Sequence, residues 1–265
     1  MRGSSGALQA LILSALLASA FVAVGLADAG VEALVEVGSV SVRIELSNVN
    51  STLFERITNY SSALNETTIP EAIVNAIGEG AFYVDPAIAL NGTTRTISAS
   101  FKLLGSALMD FEFNRTSMAR TYRLRTSWRK TDVEAWYNRT LRVVKLNFSS
   151  FFGKPLRKWE HLAHYELAPG DIREALLLNT TVRDGLFENG TGRATWIFVL
   201  PRGAKFLRAV REGNEELLLF EMPPEPLDAF MASPFWPFLI IVVAVGAAVA
   251  YRRASVRLVR PEGPS

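Results

Sequence analysis

The chain has 265 residues, with 28 Lys and Arg against 26 Asp and Glu, and no cysteine. Disulfide staples, thiol nucleophiles and thiolate metal sites are thereby excluded. Setting aside the termini (Arg2, Asp28, the four tail arginines and Glu262) leaves 23 basic and 24 acidic side chains over residues 30–234, so the middle of the chain lacks the basic footprint that nucleic-acid binding requires.

Arg2 precedes an apolar run from Ala7 to Leu26, and Ala27-Asp28-Ala29 supplies the small residues of an A-x-A-like processing site, with Ala18-Ser19-Ala20 as a second. Residues 1–29 read as a signal peptide or an N-terminal signal anchor. Left uncut, the run is long enough to cross the roughly 30 Å of a bilayer's hydrocarbon. Either outcome exports the middle of the chain.

From residue 30 to 222 the sequence predicts a mainly β ectodomain. Val40, Val42, Ile44 and Leu46 alternate with polar residues, the period of a half-buried strand. A helix is expected around Leu53–Leu64. A second short helix opens near Pro70, carries Ile69, Ile73 and Ile77 on one face and stops at Gly78. Strand patterns resume at Ile97–Leu103 and Met109–Phe113, and Tyr122, Leu124 and Trp128 continue the alternation as the second arm of a hairpin. Leu141–Phe148, Thr195–Leu200, and the pair Lys205–Arg211 and Glu215–Glu221 around Glu212-Gly213-Asn214 complete the set. Many short strands separated by turns predict a β-sandwich with a small helical insertion. Gly153-Lys154-Pro155 is a candidate subdomain boundary.

The C-terminal region reads as an anchor. Residues 223–234 hold Pro223, Pro224, Pro226 and Pro234, a stiff stalk. Phe235–Tyr251 contains no charge, and Arg252, Arg253, Arg257 and Arg260 follow it while Glu221, Glu225 and Asp228 precede it. This predicts a transmembrane helix over 235–251 with residues 252–265 as a basic cytoplasmic tail.

Nine asparagines head an N-x-S/T triplet: Asn50, Asn59, Asn65, Asn91, Asn114, Asn138, Asn147, Asn179 and Asn189. With twelve Asn and 36 Ser and Thr in the chain, chance gives roughly 1.6. All nine fall in the segment expected outside the membrane, which predicts heavy N-glycosylation. Sequons on a cysteine-free exported domain point to an archaeal cell envelope.

Several patterns carry chemistry in principle. His161 and His164, with Glu160 and Glu166 beside them, are the metal candidates of an extracytoplasmic hydrolase: on a helix they share a side, on a strand they do not. The H-E-x-x-H mechanism is absent. Ser127 and Lys130 match S-x-x-K without the S-D-N and K-T-G partners of penicillin-recognising enzymes. Arg120, Arg123, Arg125, Arg129 and Lys130 form a candidate basic patch for anionic glycans, or else a sheet face paired with Asp110 and Glu112. The sequon-free windows 148–178 and 192–234 hold Phe151, Phe152, Trp159, Tyr165, Trp196, Phe206 and Phe220, which serve either as partner anchors or as core. The expectation is a non-enzymatic surface glycoprotein without a cofactor. Its partners are the lipid membrane and, as candidates, other envelope proteins or anionic glycans.

Overall fold

The computed structural model describes residues 28–113, 119–156, 161–224 and 236–258. Two compact units are defined: the first runs to Glu112 and resumes from Thr121 to Met222, and the second comprises Phe113–Arg120 and the chain from Pro223 on. The first unit is mainly β and built from more than one sheet.

Its largest element is a seven-stranded sheet made of β1 (Ala29–Glu36), β2 (Ser39–Leu46), β3 (Phe82–Asn91), β4 (Thr96–Leu104), β9 (His161–Ala168), β10 (Asp171–Arg183) and β11 (Thr191–Val199). The strands lie in the order β3-β4-β2-β1-β11-β10-β9. All neighbours are antiparallel except β1 and β11, which run parallel from Ala29 opposite Ala194 to Leu34 opposite Val199. Alternation fixes which face is buried, because a one-residue slip would turn every apolar side chain outward. Val31, Val42, Phe101 and Phe198 accordingly lie on one fully buried face.

The other side of that core is closed by smaller elements. A four-stranded sheet uses β5 (Met109–Phe113), β6 (Arg120–Arg125), β12 (Lys205–Glu212) and β13 (Glu215–Met222), in the order β12-β13-β6-β5. A hairpin joins β7 (Val133–Tyr137) to β8 (Leu141–Leu146), and three helices complete the layer: α1 (Ser51–Asn59), α2 (Thr68–Ile77) and α3 (Phe148–Phe152). α1 is capped by the Asn50 side chain, which accepts from the Leu53 amide at 3.3 Å. α2 buries Ile69 and Ile73 and ends at Gly78, whose φ of 101° suits glycine. Gly105 permits the closest approach of two loops: a Cβ there would stand 1.9 Å from the Gly80 carbonyl oxygen. Trp196 sits at the centre of the core, with ring centroids of Phe152 at 4.9 Å, Trp128 at 5.2 Å and Phe198 at 5.4 Å.

The structure departs from the sequence-based expectation at definable places. Trp128 does not extend a strand; it belongs to a 3-10 turn, Ser127–Lys130, whose Thr126 precedes it at φ −126° and ψ 0°. Phe148 opens α3 instead of ending β8. No strand is expected from the sequence at β1, β3, β7 or β10, and β9 is left open there between helix and strand. β3 is broken by Asp85, at φ 51°, and a register shift between Val84 and Ala87, so its alternation changes phase mid-strand. Asp28 and Ala29, ahead of the expected boundary at Gly30, already belong to the fold. The Asp28 carboxylate accepts from Asn48 Nδ2 at 2.8 Å and from the Arg193 amide at 2.9 Å. Residues 153–155 lie within the first compact unit, with Lys154 Nζ donating to the Asn179 carbonyl of β10 at 3.1 Å.

In the second unit α4 covers Trp236–Leu258. Its uncharged stretch, Trp236–Tyr251, is shorter than the roughly 20 residues that a span needs, and among the described residues no helix is long and apolar enough to cross a membrane. The leader through Ala27, most of the stalk, Phe235 and Arg260 lie outside the described residues.

Candidate functional site

Six of the sequon asparagines, Asn59, Asn65, Asn91, Asn138, Asn179 and Asn189, are exposed; Asn50 and Asn147 are half-buried, and Asn114 lies outside the described residues. Local chemistry explains the turns they make. Asn65 Oδ1 accepts from the Thr67 and Thr68 amides and from the Thr67 hydroxyl, and Asn91 Oδ1 accepts from the Thr93 and Thr94 amides. These are Asx turns, in which the side-chain oxygen accepts from the backbone ahead. Asn147 differs: its Nδ2 donates to the Asp184 carboxylate at 2.6 Å. Its acceptor nitrogen is held by the fold.

The residues of the candidate basic patch fall into different environments. Arg123 faces Asp110 at 3.8 Å and Glu112 at 3.2 Å, the cross-strand pairing expected of a solvated sheet face. Arg129 is 0% exposed. Its guanidinium donates to the Phe152 carbonyl, to the Lys154 carbonyl at 2.5 Å and to Glu216 at 2.7 Å. Lys130 reaches the other oxygen of Glu216 at 2.7 Å. This cluster ties the 3-10 turn, the end of α3 and β13 together. Burial pushes the Glu216 carboxyl up, but the hydrogen bonds from Lys130 and Arg129 outweigh it and hold the group below the ordinary glutamate range. Burial alone lowers the Arg129 guanidinium's proton affinity. Ser127, the other half of S-x-x-K, accepts from the Glu216 amide at 2.8 Å, so both of its defining side chains are engaged in holding β13.

The register of β9 against β10 sets His161 opposite Leu177 and His164 opposite Glu174. Three residues apart on a strand, the two positions belong to opposite faces. Among the described residues no group of three or more His, Asp or Glu is arranged to hold a metal ion.

Four of the aromatics in the sequon-free windows turn inward. Phe151, Phe152, Trp196 and Phe220 are buried core, Phe206 and Tyr165 are half-buried, and Trp159 lies outside the described residues. Phe151, Phe152, Trp196 and Phe220 are therefore core and not exposed anchors for a partner, whereas Tyr165 stands on the outer face of the large sheet.

Two features escaped the sequence because their residues are remote in the chain. One is an open cleft of about 430 Å³ between α1, β8 and the 184–186 turn, lined by Asn50, Arg56, Arg142, Lys145, Asp184 and neighbours. Arg142 and Lys145 are paired at its edge with Glu134 at 3.2 Å and Asp132 at 3.4 Å. The other lies on the outer face of the large sheet, where the Tyr165 hydroxyl donates to Glu32 at 3.1 Å. Burial raises the Glu32 carboxyl above its ordinary range despite the Tyr165 hydrogen bond and the Arg43 charge.

No protein-family model, no curated protein and no solved structure matches this chain.

Proposed function

We propose that this chain is a membrane-anchored, N-glycosylated cell-surface protein with a structural or binding role, in keeping with an archaeal envelope. Its first unit is a β-sandwich-like ectodomain with a helical insertion. The apolar run that begins before Trp236 and continues through α4 is the anchor, completed by residues 231–235, with Arg252, Arg253 and Arg257 on the cytoplasmic side.

The observation that supports this reading best is the position of the sequons. A fold whose interior is filled by apolar alternation has Asn59, Asn65, Asn91, Asn138, Asn179 and Asn189 exposed, Asn65 and Asn91 in Asx turns. A bulky hydrated glycan needs such sites. The binding role centres on the cleft bordered by Arg56, Arg142 and Lys145, whose chemistry suits anionic glycans. A hydrolase using His161 and His164 gains no support from their opposite-face register.

Protease added to intact cells tests the topology. Digestion of residues 50–200 with sparing of the tail after Arg252 is the expected result, and protection of that stretch in unbroken cells rejects the reading.

A further inference from the structure

The strand register gives the large sheet two distinct ends. At one, which we call the N-terminal pole, Ala29 stands beside Leu46 and Ala194, and Leu46 beside Ile97. At the other, the C-terminal pole, Glu36 stands beside Ser39, Ser39 beside Leu104, and Leu104 beside Phe82. The chain begins the fold at the first and leaves it at the second. The Leu200 amide donates to the Glu174 carbonyl at 2.8 Å, and the Phe206 amide donates to the Glu174 carboxylate at 2.7 Å. β12 then pairs Lys205 with Glu221. Met222 therefore exits at the C-terminal pole. Seven residues of β1 separate the two levels, about 23 Å at roughly 3.3 Å each.

The sequons in the turns of the large sheet follow the same axis. The turns of the N-terminal pole carry sequons at Asn50, Asn91 and Asn189, with Asn147 joined to them through Asp184. The turns of the C-terminal pole, residues 36–39, 78–82, 104–108, 168–172 and 201–204, carry none. Exposed large apolar side chains occur elsewhere too, Trp136 and Leu141 beside the cleft among them, but three share one edge of the large sheet. Val37 is 53% exposed, Phe82 53% and Ile172 61%, all at the C-terminal pole, whereas the described turns 47–50, 91–95 and 184–190 contain none.

We propose that Val37, Phe82 and Ile172 form a lipid-facing rim that rests in the headgroup layer of the bilayer, leaving the sequon-bearing pole outermost. This rests on the reading of the chain as membrane-anchored. Single exposed apolar residues are ordinary; what distinguishes these is their shared edge. From β3 to β10 the rim crosses five strand spacings, about 24 Å at roughly 4.8 Å each. Separate apolar tips spread along an edge suit a fluid interface, where side chains enter the headgroup and acyl boundary by roughly 5–10 Å. A protein partner would instead be expected to meet a central, desolvated pocket. Arg202 and Lys205 are exposed at this pole, but Arg202 pairs with Asp171 at 3.9 Å and Lys205 stands opposite Glu221, so attachment rests on the apolar tips. The tether agrees, since the 12 residues of 223–234 reach at most about 40 Å and start from this pole.

The proposed orientation sets a condition on the leader. The apolar run ends at Leu26, only two residues before Asp28, whose carboxylate is fixed to Asn48 and Arg193. An uncut, membrane-spanning leader would hold the N-terminal pole against the bilayer. The leader must therefore be removed upstream of Asp28.

The absence of cysteine makes the test clean. The full chain is made with one cysteine, at Val37→Cys, Phe82→Cys or Ile172→Cys, with Thr93→Cys and Asn189→Cys as N-terminal-pole controls. Each variant is labelled with a bimane fluorophore and reconstituted into phosphatidylcholine–phosphatidylglycerol vesicles containing brominated lipid. Flotation of the vesicles is checked first. The expected result is several-fold stronger quenching at 37, 82 and 172 than at 93 and 189. If the protein floats but all five labels remain in water, the rim is overturned and the anchor stands, leaving that edge to a protein partner. Quenching confined to 93 and 189 overturns the orientation and indicates an uncut leader. Failure to float overturns both the rim and the anchor.

Discussion

Glu216 and Glu32 are both carboxylates withdrawn from water, and they respond in opposite ways. Glu216, between the two layers of the core, is met by Arg129 and Lys130 at 2.7 Å each, and its carboxyl is held down. Glu32, on the outer face of the large sheet, has the Tyr165 hydroxyl at 3.1 Å and a more distant Arg43, and burial raises it. Burial alone thus does not decide how a carboxylate behaves. Two directly bonded cations overcome the desolvation cost, whereas a single neutral donor does not. Both layers are held by apolar packing, and the smaller one also carries a buried charged joint.

The largest effect is expected where the joint loses one side. Glu216→Ala leaves the Arg129 guanidinium uncompensated in a buried site, and should lower stability by about 3–5 kcal/mol in urea unfolding of the detergent-solubilised protein. Replacing both partners with apolar residues, Arg129→Met with Glu216→Leu, should cost much less than the two single changes added together. An additive double variant would show that the two side chains do not act as a pair.

Acid titration separates the two carboxylates by sign. The folded value of Glu216 lies below its unfolded value, so its contribution is present above the unfolded value and disappears as pH falls through the folded one. Glu32 is raised, so the folded protein takes up this proton more readily and acidification through the folded value adds stability. Glu32→Gln should therefore steepen the loss of stability on acidification from neutral pH, and Glu216→Gln should flatten it. The same slope in both variants would contradict the assignment.

Smaller changes sharpen the contrast. Tyr165→Phe removes Glu32's hydroxyl donor and should cost about 1 kcal/mol while raising the Glu32 carboxyl further, read from the carboxyl resonance during NMR titration. At the bottom of the scale, Lys145→Ala breaks a partly exposed pair with Asp132 at 3.4 Å and should change stability by less than about 1 kcal/mol.

These same regions mark how far the sequence could be read. β2 and β4 were legible because one face of each alternates with the other, β12 and β13 because Glu212-Gly213-Asn214 marks a tight turn between them, and α2 because a capping glycine and a 3.6-residue period agree. β10 was not: the Glu174-Ala175-Leu176-Leu177-Leu178 run reads equally well as helix, and its strand state comes from pairing on both sides with β11 and β9. The Arg129–Glu216 joint was illegible for a different reason. Its partners lie 87 positions apart, and Arg129 sits in a run of basic residues that suggests a solvated surface. The sequons needed no folding to be seen, but their chemical inequality did. Asn147, its nitrogen held by Asp184, cannot be told from Asn91 in the sequence.

The most direct test of the account is peptide mapping by mass spectrometry on protein purified from its own membranes. The account predicts N-linked glycans at exposed turn positions such as Asn91 and Asn189, on a chain recovered with its C-terminal arginines intact. Unmodified asparagine at every sequon of the membrane-purified protein would contradict it.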